Sequence, residues 1–258
     1  MATTKIKGLL LDLSGTLYVD DDVIEGAGEA IERMGRAQMP LLFVTNTTSR
    51  PRRQILERMA RLGFSVEAEQ VYTAPIAAAD VMWEAGIRRC HFLLKEAVLE
   101  DFGGFEAADA DPEAVVVGDI GEGFDYATLN RAFQHLQAGA ALYALAANRC
   151  FESGGALQLD VGPFVAALEY AADREAEVVG KPSSAFFQRA VGRLGLRPGE
   201  VAMVGDDIES DVGGAMDAGL QGILVKTGKY RAEAARRSEV RPDAVLDSIA
   251  GIPEWLGL

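Results

Sequence analysis

The chain has 258 residues, 49% of them hydrophobic, enough to pack one large domain or two modest ones. Its 39 acidic and 25 basic side chains leave a formal net charge of −14, which argues against nucleic acid or an anionic membrane as a partner, since both need basic patches. Two cysteines, Cys90 and Cys150, make no disulfide framework and match no zinc spacing, so reduced thiols in a cytoplasmic protein are expected.

From the start, strand-like apolar runs alternate with amphipathic helical patterns, which predicts an α/β fold with a mainly parallel sheet. Residues 6–13 read as the first strand, interrupted by Asp12 too early to be a signal peptide. A helix over 26–37 follows, then a strand over 40–45 ending in Thr45-Asn46-Thr47-Thr48. The next helix is capped by Thr48 or Ser49, carries Pro51 in its first turn, and stops at Gly63. In the middle of the chain, helices are expected over 74–85, 126–138 and 162–172, and strands over 90–94, 114–118 and 141–147. The longest apolar stretch, 140–147, is far too short to span a membrane. Small acidic loops such as 102–112 give this region a different texture, and 78–176 reads as an inserted second domain. Residues 1–77 and 177–258 then form the core. The original alternation resumes with a short strand over 177–179, a helix over 184–194, a strand over 201–204, a small-residue helix over 208–218, a strand over 221–225 and an edge strand over 244–246.

Four of the core's strand ends each deliver a chemically useful group. Asp12 brings a carboxylate, Thr45 a hydroxyl, Lys181 an ammonium, and Asp206 with Asp211 an acidic cluster. In a parallel sheet such ends converge on one edge, where open α/β sheets bind ligands. The set suits displacement at a phosphoryl group held on Mg²⁺, a cation that prefers hard oxygen ligands. Asp12, Asp206 and a backbone carbonyl near Ser14 can offer three oxygens to the metal. Thr45 and the backbone around it can hold the non-bridging oxygens, and Lys181 can stabilise the transferring group. Asp12 would attack to give an aspartyl-phosphate that water then hydrolyses.

These segments resemble the four motifs of the haloacid dehalogenase-like hydrolase superfamily, subfamily IIA, whose large α/β cap is inserted between the second and third motifs. Asp12-Leu13-Ser14-Gly15-Thr16 is similar to the first, Val44-Thr45-Asn46 to the second, Gly180-Lys181-Pro182 to the third, and Gly205-Asp206-Asp207 through Asp211 to the fourth. The resemblance covers essentially the whole chain and implies a Rossmann-like core with an inserted α/β cap. It also implies phosphate contacts from Thr45, Asn46 and Lys181, direct Mg²⁺ ligation by Asp206, and a role for Asp211 through water or Lys181. The cap is expected to close over the site, to set specificity, and, as caps in the family often do, to pack against a second copy. From position alone, Asn148, Arg149 and Gly162 are the specificity candidates.

One position departs from the common pattern. Most phosphatases of the superfamily carry a second aspartate where this chain has Ser14, as the acid and base for the leaving group and the water. Such catalysis contributes on the order of 10²–10⁴ in rate, roughly 3–5.5 kcal/mol of transition-state stabilisation. Two readings follow. Either the substrate's leaving group needs little help, as with pyrophosphate or a phosphoramidate, or the protein is catalytically weak and mainly binds a phosphate ligand. The first is favoured because the nucleophile, the threonine, the lysine and the acidic cluster are all still present, and a retired site has no need of all four; a narrower likeness is to a branch that also carries this serine. A receiver-type phospho-acceptor is excluded by order, because a receiver carries its acidic pair first and its acceptor later. Asp207 reads as a helix cap beside the ligand Asp206, and His91, His135 and the Arg50, Arg52 and Arg53 cluster read as structural or solvated.

Overall fold

A computed structural model describes residues 5–153 and 156–258. The chain divides into two compact units. One comprises the stretch ending at Thr45 together with Ile55–Tyr72 and Lys181–Leu258, the other Asn46–Gln54 and Thr73–Gly180.

The first unit is built on a six-stranded sheet. Its strands run in the order Ala244–Leu246, Gln221–Val225, Val201–Gly205, Gly8–Asp12, Leu41–Thr45, Val71–Thr73. Gly8–Asp12 pairs in parallel with Val201–Gly205 on one side and Leu41–Thr45 on the other. All five of its residues are buried, as are all five of Leu41–Thr45 and of Val201–Gly205. That explains why these strands read as unbroken apolar runs: both faces of a parallel sheet are covered. Leu9 and Leu11 point into a core with Met34 of the helix Ala27–Arg36 and Met59 of the helix Arg52–Arg61. Each fully buried leucine contributes about 1.5–3 kcal/mol. From Gly8–Asp12 the chain first adds strands on one side and later returns to add them on the other. Its C-terminal end is therefore the switch point where open sheets bind ligands.

The second unit holds a five-stranded parallel sheet in the order Glu177–Val178, Ala141–Ala144, Ala114–Val117, Arg89–Leu93, Glu106–Ala107. The helices Tyr126–Gln137 and Val161–Ala172 pack on one face through Leu136, Val165 and Leu168. The helix Ala74–Glu84 packs through Ala78 and Met82 into a separate cluster with Cys90 and Val116. An antiparallel hairpin, Cys150–Ser153 with Ala156–Leu159, stands apart from this sheet.

The strand expected over 177–179 joins the second unit's sheet, not the first's, by pairing with Tyr143 and Ala144. Two or three apolar residues carry no information about which sheet they will extend. The strand expected over 141–147 ends at Ala144, and the hairpin that follows lacked any clear alternation. The helix expected over 208–218 is wide-pitched over Ile208–Gly213 and regular only over Gly214–Asp217. Among the described residues no helix is long and apolar enough to cross a membrane.

Candidate active site

Asp12 is the last residue of its strand and is buried at the sheet's C-terminal edge. The turn after it is closed by Gly15 N donating to Tyr18 O at 2.7 Å, with Gly15 at φ +94°. Glycine is required at 15 for a second reason: a Cβ there would lie 1.9 Å from Asp206 Oδ2. Thr45 ends the neighbouring strand, one residue past the Asp12–Val44 pairing, and is also buried. Ser14 stands exposed two residues beyond Asp12.

Lys181 follows the second unit and precedes the helix Ser184–Arg193; its peptide bond to Pro182 is cis. Its ammonium is buried and donates to Asp12 Oδ1 at 2.5 Å and to Asp211 Oδ1 at 2.7 Å. Burial opposes its charge, but Asp12 and Asp211 overcome that cost and hold its pKa above the ordinary lysine value. Asp206 follows the strand Val201–Gly205, and Asp211 projects from the wide-pitched helix that begins at Ile208. Asp207 caps that helix, accepting from Glu209 N and Ser210 N. Gly205 is again a matter of room, since a Cβ would come within 2.3 Å of Asp211 Oδ2.

Asp12, Asp206 and Asp211 each place a carboxylate oxygen within 4.8 Å of the others, and all three are buried. Burial, reinforced by the charges of Asp12 and Asp211, pushes the Asp206 carboxyl above the usual carboxylate range. Asp211 is also pushed up by burial, with Lys181 opposing. Lys181 bridges Asp12 and Asp211 and the charge of Lys229 acts on Asp206, so the three carboxylates, when ionised, still leave the cluster with excess negative charge. A buried group of hard oxygens with that excess fits Mg²⁺.

The sequence reading missed the loop that holds Asp206. Lys229 N donates to Asp206 Oδ2 at 2.6 Å, and Thr227 Oγ1 donates to the Gly15 carbonyl at 2.5 Å. Gly228 sits between them, with room for no Cβ, because one would fall 2.2 Å from Asp206 Oδ2 and 2.3 Å from Gly15 Cα. Thr227-Gly228 directly after a strand was the available signal, but the working group is a backbone amide, which no side-chain motif announces.

The remaining candidates belong to the second unit. There, a Cβ on Gly180 would stand 2.7 Å from Asn46 Oδ1. Asp160 caps the helix Val161–Ala172 through Val161 N, and its own N–H donates to Arg149 O at 3.2 Å. Gly162 N donates to Asn148 O at 2.9 Å, and a Cβ on Gly162 would meet the carbonyls of Ala147 and Asn148 at 2.6 Å. Gly162 thus lets the helix start against the backbone that carries Asn148 and Arg149. His91 and His135 pack on each other with ring centroids 4.7 Å apart, and burial followed by His135 lowers the His91 pKa.

Carboxylates gathered around a buried lysine at the switch point of a parallel sheet are the arrangement expected of an α/β hydrolase. Two family models agree with that reading: haloacid dehalogenase-like hydrolase over residues 9–106, and a related HAD-hydrolase model over residues 178–252. The chain is 44% identical to haloacid dehalogenase-like hydrolase domain-containing protein 2 of Bos taurus, over 94% of this chain and 92% of that one. It is 39% identical to the phospholysine phosphohistidine inorganic pyrophosphate phosphatase of the same organism, over 95% and 92%. Among solved structures, the p-nitrophenyl phosphatase from Archaeoglobus fulgidus superposes with a TM-score of 0.91 at 26% identity, covering 97% of this chain and 99% of that one. The chain belongs to the haloacid dehalogenase-like hydrolase family. It is an enzyme of that family, with phosphatases among its relatives.

Proposed function

We propose that the protein is a Mg²⁺-dependent phosphatase that works through Asp12 on a small phosphorylated substrate. The observation that carries this reading is the buried Lys181 bridging Asp12 and Asp211 at 2.5 and 2.7 Å, beside Asp206. Asp12, Asp206 and the Ser14 carbonyl would hold Mg²⁺, with Asp211 acting through Lys181 or water, and the bound ion would neutralise the repulsion between carboxylate and phosphate.

Asp12 then attacks phosphorus through a carboxylate oxygen. The phosphorus–leaving-group bond breaks with its electron pair on the leaving group, which departs already protonated or cation-bound, or takes a proton from solvent. Thr45 and Asn46 hold the non-bridging oxygens, and Lys181 faces the developing charge from a water-poor position. Water adds to the aspartyl-phosphate, releasing phosphate and restoring Asp12. Catalysis is assigned to Asp12, Thr45, Lys181, Asp206 and Asp211, which the first unit carries. Substrate selection is assigned to Thr73–Gly180, where Asn148 and Arg149 lie.

Ser14 narrows the substrate class. A hydroxyl cannot serve as acid and base at neutral pH, so the favoured substrates are those whose leaving group needs no enzyme proton. Pyrophosphate leaves bound to cations, and a phosphoramidate can be protonated on nitrogen. The name of the phospholysine phosphohistidine inorganic pyrophosphate phosphatase supports this choice.

The test is phosphate release, with and without Mg²⁺, from an aryl phosphate, sugar phosphates, nucleotides, pyrophosphate and a phosphoramidate. Release is expected to require Mg²⁺, to vanish in Asp12→Asn, and to favour the last two substrates. Ser14→Asp should raise turnover of the ordinary esters by about tenfold or more. Mg²⁺-dependent binding of phosphate with no release from any member would replace the enzyme by a phosphate-binding protein.

A further inference from the structure

The first unit contains a second feature, separate from the carboxylates. A cavity of about 340 Å³ is lined by Ile208, Leu224, Tyr230, Val240 and the guanidinium-bearing Arg236 and Arg241, among others. Its volume is in the range of small-molecule sites. Ile208 and Leu224 are buried and form a small apolar cluster with Val212, against which Tyr230 and Val240 pack. The segment 226–241 that contributes Tyr230, Arg236, Val240 and Arg241 has six Lys or Arg among sixteen residues and only two acidic ones. In a chain of net charge −14 this is a local reversal of sign. Arg241 commits Nη1 to the carbonyls of Ser238 and Val240, which fixes its place. The Arg236 side chain is exposed and makes no hydrogen bond or ion pair among the described residues.

We propose that this cavity binds a small amphipathic carboxylate, with its apolar body on Ile208, Leu224 and Val240 and its charge toward Arg236 and Arg241. A peptide helix is too large for the volume, and a neutral apolar ligand would leave the Arg236 guanidinium unmatched. The site has a route to the carboxylate cluster. Tyr230 directly follows Lys229, whose N–H holds Asp206, and Ile208 directly follows Asp207, the cap of the helix that carries Asp211. A ligand against both residues restrains both attachments and so steadies Asp206.

The experiment titrates octanoate into the full chain and follows backbone amides by NMR, with octanol and acetate as controls. Saturable shifts at Leu224, Tyr230 and Val245 are expected, stronger for octanoate than for either control. Arg236→Glu should weaken octanoate binding roughly fivefold, the worth of one exposed charge contact. Val240→Trp, which fills the cavity without touching a charge, should abolish binding. Hydrogen exchange at Lys229 N–H should slow on saturation, a readout that needs neither metal nor turnover. Equal binding of octanol, binding that survives Val240→Trp, or shifts only elsewhere would overturn the site. Shifts at the cavity with unchanged exchange at Lys229 would overturn its link to Asp206.

Discussion

A methyl group at position 15 or 228 would enter space already held by Asp206 Oδ2. Both glycines also have positive φ, +94° and +55°, so an alanine is strained there even before the collision. Gly15→Ala and Gly228→Ala are therefore expected to cost at least 1 kcal/mol or so each in stability. They should also displace the carboxylate and weaken Mg²⁺ binding about tenfold or more, as loss of a partner that orients a ligand does. Calorimetric Mg²⁺ titration of the folded variants reads the second effect apart from the first. Tight Mg²⁺ binding in a folded Gly228→Ala chain would refute the role given to this close approach. Lys181 makes the complementary case. Lys181→Met would leave Asp12 and Asp211 buried without their cation, and a loss of about 3–5 kcal/mol is expected in urea unfolding.

At the level of elements, the strand Gly8–Asp12 is anchored at its start by Lys7, whose ammonium meets Glu200 Oε1 at 2.7 Å. Glu200 also receives Arg197 at 2.9 Å, just before the partner strand Val201–Gly205. Hydrogen bonds from Arg197 and Lys7 hold the Glu200 carboxyl well below the usual range. A depressed folded-state pKa means that the stabilisation is complete above the ordinary glutamate value of about 4.3. It is lost as pH falls below that value and through the folded one. Glu200→Gln should thus narrow the stability difference between pH 7 and pH 3, costing less at pH 3 than at pH 7 but still costing something there, because the folded carboxyl remains ionised. An unaltered pH profile of urea midpoints would show that the ion pairs carry nothing.

Much of this architecture was legible because parallel strands announce themselves as continuous apolar runs and their ends as motifs. Asp12, Lys181, Asp206 and Asp211 were found that way, and the structure brings all four together. Elements whose place depends on a distant partner were legible only in part. Glu177–Val178 was read as a strand but not as the edge strand beside Ala141–Ala144, and Val71–Thr73, the edge strand beside Leu41–Thr45, was not read at all. The widened turn at Ile208–Gly213 was also hidden, since small residues permit a regular helix equally well. Lys229 escaped notice because its side chain is irrelevant to the bond it makes.

For the molecule as a whole, the crowding of Asp12, Asp206 and Asp211, with Lys181 between the first and the last, is a standing electrostatic cost that a divalent cation would relieve. Mg²⁺ at a hundred times its dissociation constant should add about 2.7 kcal/mol to the folded state. Differential scanning calorimetry should show a rise in Tm with Mg²⁺, reversed by a chelator and absent in Asp206→Asn. Hydrogen exchange should place the gained protection in the strands Gly8–Asp12 and Val201–Gly205. Equal protection across Ala114–Val117 would mean that the ion acts elsewhere.

The order of strands around Gly8–Asp12 also governs how the protein is made. Lys181 lies 169 residues beyond Asp12, and the strand that covers one side of Gly8–Asp12 begins only at Val201. During synthesis, both segments of the second unit, Asn46–Gln54 and Thr73–Gly180, are made before Val201, so Gly8–Asp12 waits with a bare edge while that unit is completed. A nascent chain stalled near residue 180 therefore exposes an apolar, unpaired strand, the kind of edge that invites wrong pairing with a neighbour. The carboxylate proposed to attack phosphorus is thus made well before the lysine and the strand that set it in place.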